Sequence, residues 1–301
     1  MKYILFVLAG AFSYGLLSTF VKKAYSSGFH VSDVVGSQAL LGFTMLWILM
    51  FVSSKLSKPS KTSRAFDPTW RQVLILMAVG TTTGMTSIFY YSSLQFISAS
   101  FAIILLFQFT WMGVLLEALV ERKRPGKEKI LSLVILFTGI VMASGYLNGG
   151  QITVSWIGTT LGLLSAVTYT FFIWFSGRTA KQIAPIKRSA IMLSGSFVLV
   201  MLVFPPRFVF NGSLHESLLL WGFLLAFFGM VIPPLFYAIG VPRIGGGLAT
   251  ILSAAELPTA VMMSYFALNE SVTAVQWFGV GATIVGIAIP EIWKRILLIH
   301  K

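Results

Sequence analysis

The sequence predicts an all-α integral membrane protein of ten transmembrane helices, built as two inverted five-helix repeats with both termini cytoplasmic. Three observations predict it. First, the 301 residues are 56% hydrophobic and 10% charged, whereas a soluble domain carries roughly 25% charged residues. Second, ten apolar runs approach the roughly 20 residues that cross a bilayer: 3–21, 34–53, 72–93, 97–119, 129–147, 153–175, 188–204, 217–239, 246–268 and 272–292. Backbone in lipid must bond to itself, so these runs are helices. Third, the Lys+Arg residues crowd into alternate gaps. Lys22, Lys23 and Arg207 lie on one side, and the other 19 of the 22 lie on the opposite side. Basic residues stay cytoplasmic, which places both termini inside.

The first run follows Lys2 and carries Ser13, Tyr14 and Ser18. Read as a cleaved signal peptide it would leave nine spans and spoil the repeat described below. The pair Lys22-Lys23 after it is the one local exception to the charge rule. The second run carries Gln38 and leads to Lys55, Lys58, Lys61, Arg64 and Arg71. The third carries a stripe of Thr83, Thr86, Ser87, Tyr90 and Tyr91. The fourth holds Gln108 at depth and Glu117 about one turn from its cytoplasmic end, and it closes on Glu121. Arg122, Lys123, Arg124, Lys127 and Lys129 then lead into the fifth, which contains Gly139.

The sixth run carries Ser165, Thr168, Tyr169 and Trp174, and Arg178, Lys181, Lys187 and Arg188 lead into the seventh. Pro233-Pro234 in the eighth predicts a break, because proline removes a backbone donor and clashes with the preceding turn. After Arg243, the triplet Gly245-Gly246-Gly247 opens the ninth run as a pivot or a point of tight packing. The ninth contains SAAELPTA, residues 253–260, with Ser253, Glu256 and Pro258. The tenth contains Gly286 and Glu291 and ends before Lys294, Arg295 and Lys301.

The halves echo each other. Phe12-Ser13-Tyr14 parallels Val167-Thr168-Tyr169, and the stretch from Tyr91 to Ala102 parallels that from Tyr237 to Ala249. The fourth and ninth runs each close on a glutamate, Glu121 and Glu270. These two mark charge at a positive helix end rather than a substrate site. Five spans per half forces opposite orientations, an arrangement of secondary transporters whose substrate site lies at mid-membrane between the halves.

Of the nine acids, Asp33, Asp67, Glu121, Glu128, Glu216, Glu270 and Glu291 lie in loops or near helix ends and Glu117 lies about one turn from the cytoplasmic side, leaving Glu256 central. A charge at mid-bilayer costs roughly 2.5–3.5 kcal/mol, so Glu256 must face the protein interior or a wet cavity. It is either protonated or ionised beside a cation or strong donors, and no Lys or Arg is expected at its depth. The plain alternative is a neutral acid that bonds a neighbouring helix and fixes its rotation. Pro258 predicts a kink, with the carbonyl of Ala254 freed toward Glu256. Anchoring the repeat on the closing glutamates places the counterpart of Glu256 at Phe107, and anchoring on Ile97–Ala102 places it at Phe109. Gln108 lies between them and is the strongly polar residue deep in that span. Its plain role is an interhelical hydrogen bond. Ser and Thr commonly bond their own helix, and Tyr and Trp commonly anchor at the interface.

Taken together, these features resemble the drug/metabolite transporter superfamily in its EamA-type branch of ten-helix carriers. The resemblance covers nearly the whole chain, as repeats 1–148 and 149–301. It rests on Leu94 to Ala102 (LQFISASFA), Glu121, Glu256 near Pro258, Glu270, Gly139 and Gly286. It departs in having Glu-Leu-Pro where the family often has Glu-Pro, and in having no proline in the fourth span. The resemblance implies a membrane carrier of small metabolites or drugs, often an exporter, with no cofactor and no ATP site; the expected location is the plasma membrane, and no metal site is expected.

The expected substrate or coupling residues are Glu256, Gln108, Tyr14, Tyr169, Tyr90, Ser253 and Trp174, and the expected hinges are Pro258, Pro233 and Pro234. The expected partners are a small-molecule substrate and the bilayer, whose anionic lipids would face the basic loops. No nucleic acid is expected, and a homodimer is left open. The chain has no cysteine, and His30, His215 and His300 fall in loops or the tail. With no Gly-x-Ser-x-Gly elbow either, an embedded enzyme is disfavoured. A passive channel or an accessory membrane subunit remains as the alternative to a carrier.

Overall fold

In a computed structural model the described residues are 1–56, 68–148, 155–210, 212 and 217–299. Lys58, Lys61, Arg64, Asp67, His215, Glu216, His300 and Lys301 lie outside them, as does the start of the second expected repeat at 149.

The first predicted span is α1 (Lys2–Gly15) and α2 (Leu17–Ser26), nearly continuous across Leu16. The next are α3 (Val31–Leu56) and α4 (Trp70–Ser93). Helix α4 starts at a capping box in which Thr69 and Gln72 each accept from the other's backbone N–H, satisfying donors that have no partner in the helix itself. The fourth span is split into α5 (Ala99–Leu106) and α6 (Phe109–Glu121), and α7 (Lys127–Ala143) closes the half. The second half runs through α8 (Trp156–Ser176), α9 (Pro185–Val203), the short α10 (Arg207–Phe210), α11 (Leu218–Leu225) and α12 (Ile232–Ile244). Its ninth span is split into α13 (Gly246–Ser253) and α14 (Glu256–Leu268), and α15 (Ala274–Ile299) ends it. Among the described residues, nine helical stretches are long and apolar enough to cross a membrane. The helix at the fifth predicted span, α7, has 17 residues.

Large apolar side chains cover the outside, among them Phe266 and Phe278 at 71% exposure. Such a surface belongs in lipid, not water. Inside, α7 packs on α15, α4 on both α8 and α9, and α1 on α12. Gly139 of α7 and Gly286 of α15 lie against the partner helix, where a Cβ would meet Thr283 and Leu136 respectively. Small residues let membrane helices approach closely.

The breaks differ from what proline alone predicts. In the ninth span the turn is at Ala254-Ala255, and Pro258 sits in the first turn of α14. Its missing donor therefore falls where donors lack helical partners anyway. The Ala254 carbonyl accepts the Leu257 N–H at 3.1 Å rather than opening toward Glu256. Before Pro233-Pro234 the chain widens into a six-residue π-helical stretch, Ala226–Val231, and α12 restarts with both prolines in its first turn. The eighth span thus passes through without a gap.

Arg188, expected beside a cytoplasmic loop, is 1% exposed. Its guanidinium donates to the carbonyls of Ala238 and Thr179. Pro242, four residues beyond Ala238, has no N–H to offer that carbonyl, and Arg188 supplies the donor.

Candidate functional site

A cavity of about 570 Å³ opens between α1, α2, α4, α5, α8 and α14. Its floor is formed by Tyr14, Tyr169 and Glu256, and its mouth is rimmed by the exposed Lys22, Gln95 and Glu270. Beyond the floor, Phe109, Phe172, Tyr237 and Ser253 are buried and close the way to the other end.

Glu256 is the first residue of α14 and is half-buried. Its carboxylate therefore stands at the N-terminal end of a half-helix, where exposed N–H dipoles favour negative charge. The Tyr169 hydroxyl donates to its Oε2 at 3.4 Å. That hydroxyl is also 3.5 Å from the Tyr237 hydroxyl, which in turn lies 2.9 Å from Ser253 Oγ. A chain of hydroxyls thus runs from the cavity floor into the core. The Tyr14 ring stands edge-on to Tyr169, with centroids 5.6 Å apart. Gly15 makes this possible, since a Cβ there would collide with the Glu256 carbonyl and Thr259.

The stripe on α4 faces the same space. Thr83, Thr86, Ser87, Tyr90 and Tyr91 all line the cavity, and Thr86 bonds Thr168 of α8 at 2.9 Å. Gln38 lines it too, with its Nε2 donating to the Leu225 carbonyl at 3.3 Å, beside the π-helical stretch. At the mouth, Lys22 pairs with Glu270 at 2.9 Å. Partial burial opposes ionisation of Glu270, but the Ser264 hydroxyl and the Lys22 ammonium outweigh it and hold the carboxyl below its ordinary value.

The opposite end carries a second cluster. Arg178 binds Glu121 at 2.5 Å, and its guanidinium lies 4.2 Å from the Trp174 ring centre. Glu117 pairs with Lys129 and packs its carboxylate against Gly245 and Gly247, at the N-terminus of α13. Gly245 has φ +87°, a conformation that favours glycine. The glycine triplet is therefore a seat for Glu117 and for Trp174, which abuts Gly246.

The two split helices share one pattern: eight residues, a two-residue turn, thirteen residues, then a residue in the left-handed conformation, Arg122 or Asn269. The pattern makes Phe109 the structural counterpart of Glu256. A sequence model of the EamA-like transporter family matches residues 1–145 and 156–290. The chain belongs to the EamA-like transporter family.

The EamA-like chain is 23% identical over 302 residues to an uncharacterized transporter, sll1319, of Synechocystis sp. (strain ATCC 27184 / PCC 6803 / Kazusa), covering 92% of this chain and 89% of that one. It is 23% identical over 287 residues to the uncharacterized transporter YcbK of Bacillus subtilis (strain 168), covering 92% and 88%. A solved crystal structure superimposes with TM-score 0.74 at 14% identity over 96% of this chain and 98% of that one, and so shares the fold.

Within this EamA-like fold the cavity brings together Glu256, Tyr14, Tyr169 and Tyr90. Three other expected residues lie elsewhere. Gln108 turns back onto its own helix, where Nε2 donates to the Ile104 carbonyl at 2.8 Å and Oε1 accepts from Trp111 Nε1 at 2.7 Å. Its backbone N–H has moved to the Leu105 carbonyl, so the side chain takes the bond the turn released. Trp174 lies at the Arg178–Glu121 end, and Ser253 is fully buried behind Tyr237. Sequence reasoning passed over Tyr237, although its alignment with Tyr91 in the repeat was the signal. It also passed over Tyr25, Gln95 and Ser144, which line the cavity without forming any periodic stripe with the others.

Proposed function

We propose that the protein is a secondary carrier, working as an exporter, that moves a small metabolite or drug-like molecule by alternating access, with Glu256 at the centre of the substrate site. One observation carries the reading most strongly. A cavity reaching the surface at one end finishes on an acid at the start of a half-helix, and ion-paired, packed layers close the other end. This is the geometry a carrier needs in one of its two states.

In this reading ten spans are arranged N-in and C-in in the plasma membrane, as two inverted repeats, 1–148 and 149–301. The Lys22–Glu270 end then faces outside and the Arg178–Glu121 end faces the cytoplasm. Rocking of the halves closes the first and parts the second. Glu256 takes either a proton or the cargo, so the two compete. The titratable groups that interact with it electrostatically are Tyr14 on α1, Tyr90 and Tyr91 on α4, Tyr169 on α8 and Tyr237 on α12.

Purified protein would first be screened by thermal shift against amino acids, amines, nucleosides and drugs, since ligands raise the apparent stability of the state they bind. Hits would then be loaded into proteoliposomes. A carrier gives saturable flux and counterflow. Flux that does not saturate, without counterflow, would identify a channel instead.

A further inference from the structure

We propose that the cargo is an organic ammonium, a protonated or quaternary amine on an apolar body, held by Glu256 and the tyrosine walls of the cavity. The inference rests on the carrier reading above and gives it a substrate class.

Charge is the first argument. Among the described residues lining the cavity, Glu256 is the one ionisable carboxylate at depth, and the hydroxyl of Tyr169 is the one protein donor to it. The other charged lining residues, Lys22 and Glu270, are at the mouth and pair with each other. The floor therefore offers an anionic partner to a cation and no cationic partner to an anion. A ligand ammonium beside Glu256 supplies the opposite charge that an ionised carboxylate in a low-dielectric site requires.

The wall composition is the second argument, and it is independent of the first. The chain has 26 phenylalanines and nine tyrosines. Among the described residues the cavity is lined by Tyr14, Tyr25, Tyr90, Tyr91 and Tyr169, but by Phe107 alone among phenylalanines. A wall selected only for apolarity would draw on the commoner residue. Tyrosine adds two features useful to a cation: a ring face that attracts it, and a hydroxyl oxygen that accepts from an N–H. Thr83, Thr86 and Ser87 add further acceptors on one wall. The volume of about 570 Å³ suits a drug-sized molecule.

The test uses three probes that share a phenethyl-type ring and differ at the head: phenethylamine (cation), phenethyl alcohol (neutral) and phenylacetate (anion). Each is titrated into the purified full-length protein by calorimetry at neutral pH. Phenethylamine is expected to bind at least about tenfold tighter than the alcohol, and phenylacetate weakest. In Glu256→Gln the amine should fall to the affinity of the alcohol, while the alcohol itself binds as before, which shows that the pocket is still folded. An amine that binds no tighter than the alcohol in the unaltered protein overturns the proposal, as does a Gln variant that keeps the amine preference. Binding is read without flux, so the two ideas fail separately. Amine selectivity without counterflow would sink the carrier reading and leave the ligand class standing. Counterflow of a non-amine with no amine preference would do the reverse.

Discussion

The two split helices have nearly the same backbone and different chemistry. In α5–α6 the residue after the turn is Phe109, which is fully buried and meets the Tyr169 ring edge at a centroid distance of 4.7 Å. In α13–α14 the equivalent residue is Glu256, which accepts a hydrogen bond from the same Tyr169. The neighbouring contacts also correspond. Gly15, after Tyr14, abuts the Glu256 carbonyl, and Thr170, after Tyr169, reaches the Phe109 carbonyl at 3.5 Å. The repeat therefore maintains a crossing geometry, and charge is added on one side alone. A discontinuous helix does not by itself make a binding site. It provides a half-helix N-terminus, and the residue placed there differs with its surroundings: Phe109 is packed into the core, and Glu256 opens on the cavity.

Four variants would break or sharpen this comparison. The largest effect is expected from Glu256→Gln, which keeps shape and removes charge. Counterflow should drop at least about tenfold, since a charge-assisted bond is worth roughly 1.5–3 kcal/mol, and any pH dependence of transport should flatten. Pairing Glu256→Phe with Phe109→Glu should not restore transport, because position 109 opens onto packed side chains. Recovery in that double variant would mean the two sides are interchangeable.

Tyr169→Phe comes next. It keeps the ring contacts with Phe109 and Tyr14 and removes the hydroxyl shared by Glu256 and Tyr237. Ligand affinity should fall several-fold, and thermal stability should fall by about 1 kcal/mol. An unchanged affinity would mean that Glu256 is positioned by its backbone alone. The smallest effect is expected from Gln108→Leu. The Ile104 carbonyl loses a donor, so stability should decline by about 0.6 kcal/mol, typical of membrane side-chain bonds, with ligand affinity unchanged. A loss of affinity comparable to that of Glu256→Gln would return Gln108 to the site.

Much of this was legible in the sequence. Glu256 stood out because so few acids are present and the rest sit at helix ends. The α4 stripe was legible because Thr83, Thr86, Ser87, Tyr90 and Tyr91 recur at helical spacing and so share a face. Trp174 illustrates a spacing that argued the other way. Five residues beyond Tyr169 it is rotated by about 140° and displaced by about 7.5 Å, which carries it off the cavity face. The position of Gln108 was not legible, because the turn at Phe107-Gln108 has no proline and arises from hydrogen bonds shifting from i−4 to i−3. Nor was the role of Pro258, since the same shift at Ala254-Ala255 occurs one turn earlier. Arg188 escaped because its partner is a carbonyl freed by Pro242 on another helix, a pairing that exists only in the folded chain.

The most direct test of the account needs no knowledge of the cargo. The chain has no cysteine, so Ser87→Cys, on the cavity wall, would carry a unique thiol. Sealed vesicles of each orientation would be treated with a membrane-impermeant maleimide. Alternating access predicts labelling from both faces while the vesicles stay tight to the reagent. Labelling from one face only, whatever the pH gradient or added ligand, would contradict the account, as would leakage of the reagent through the protein.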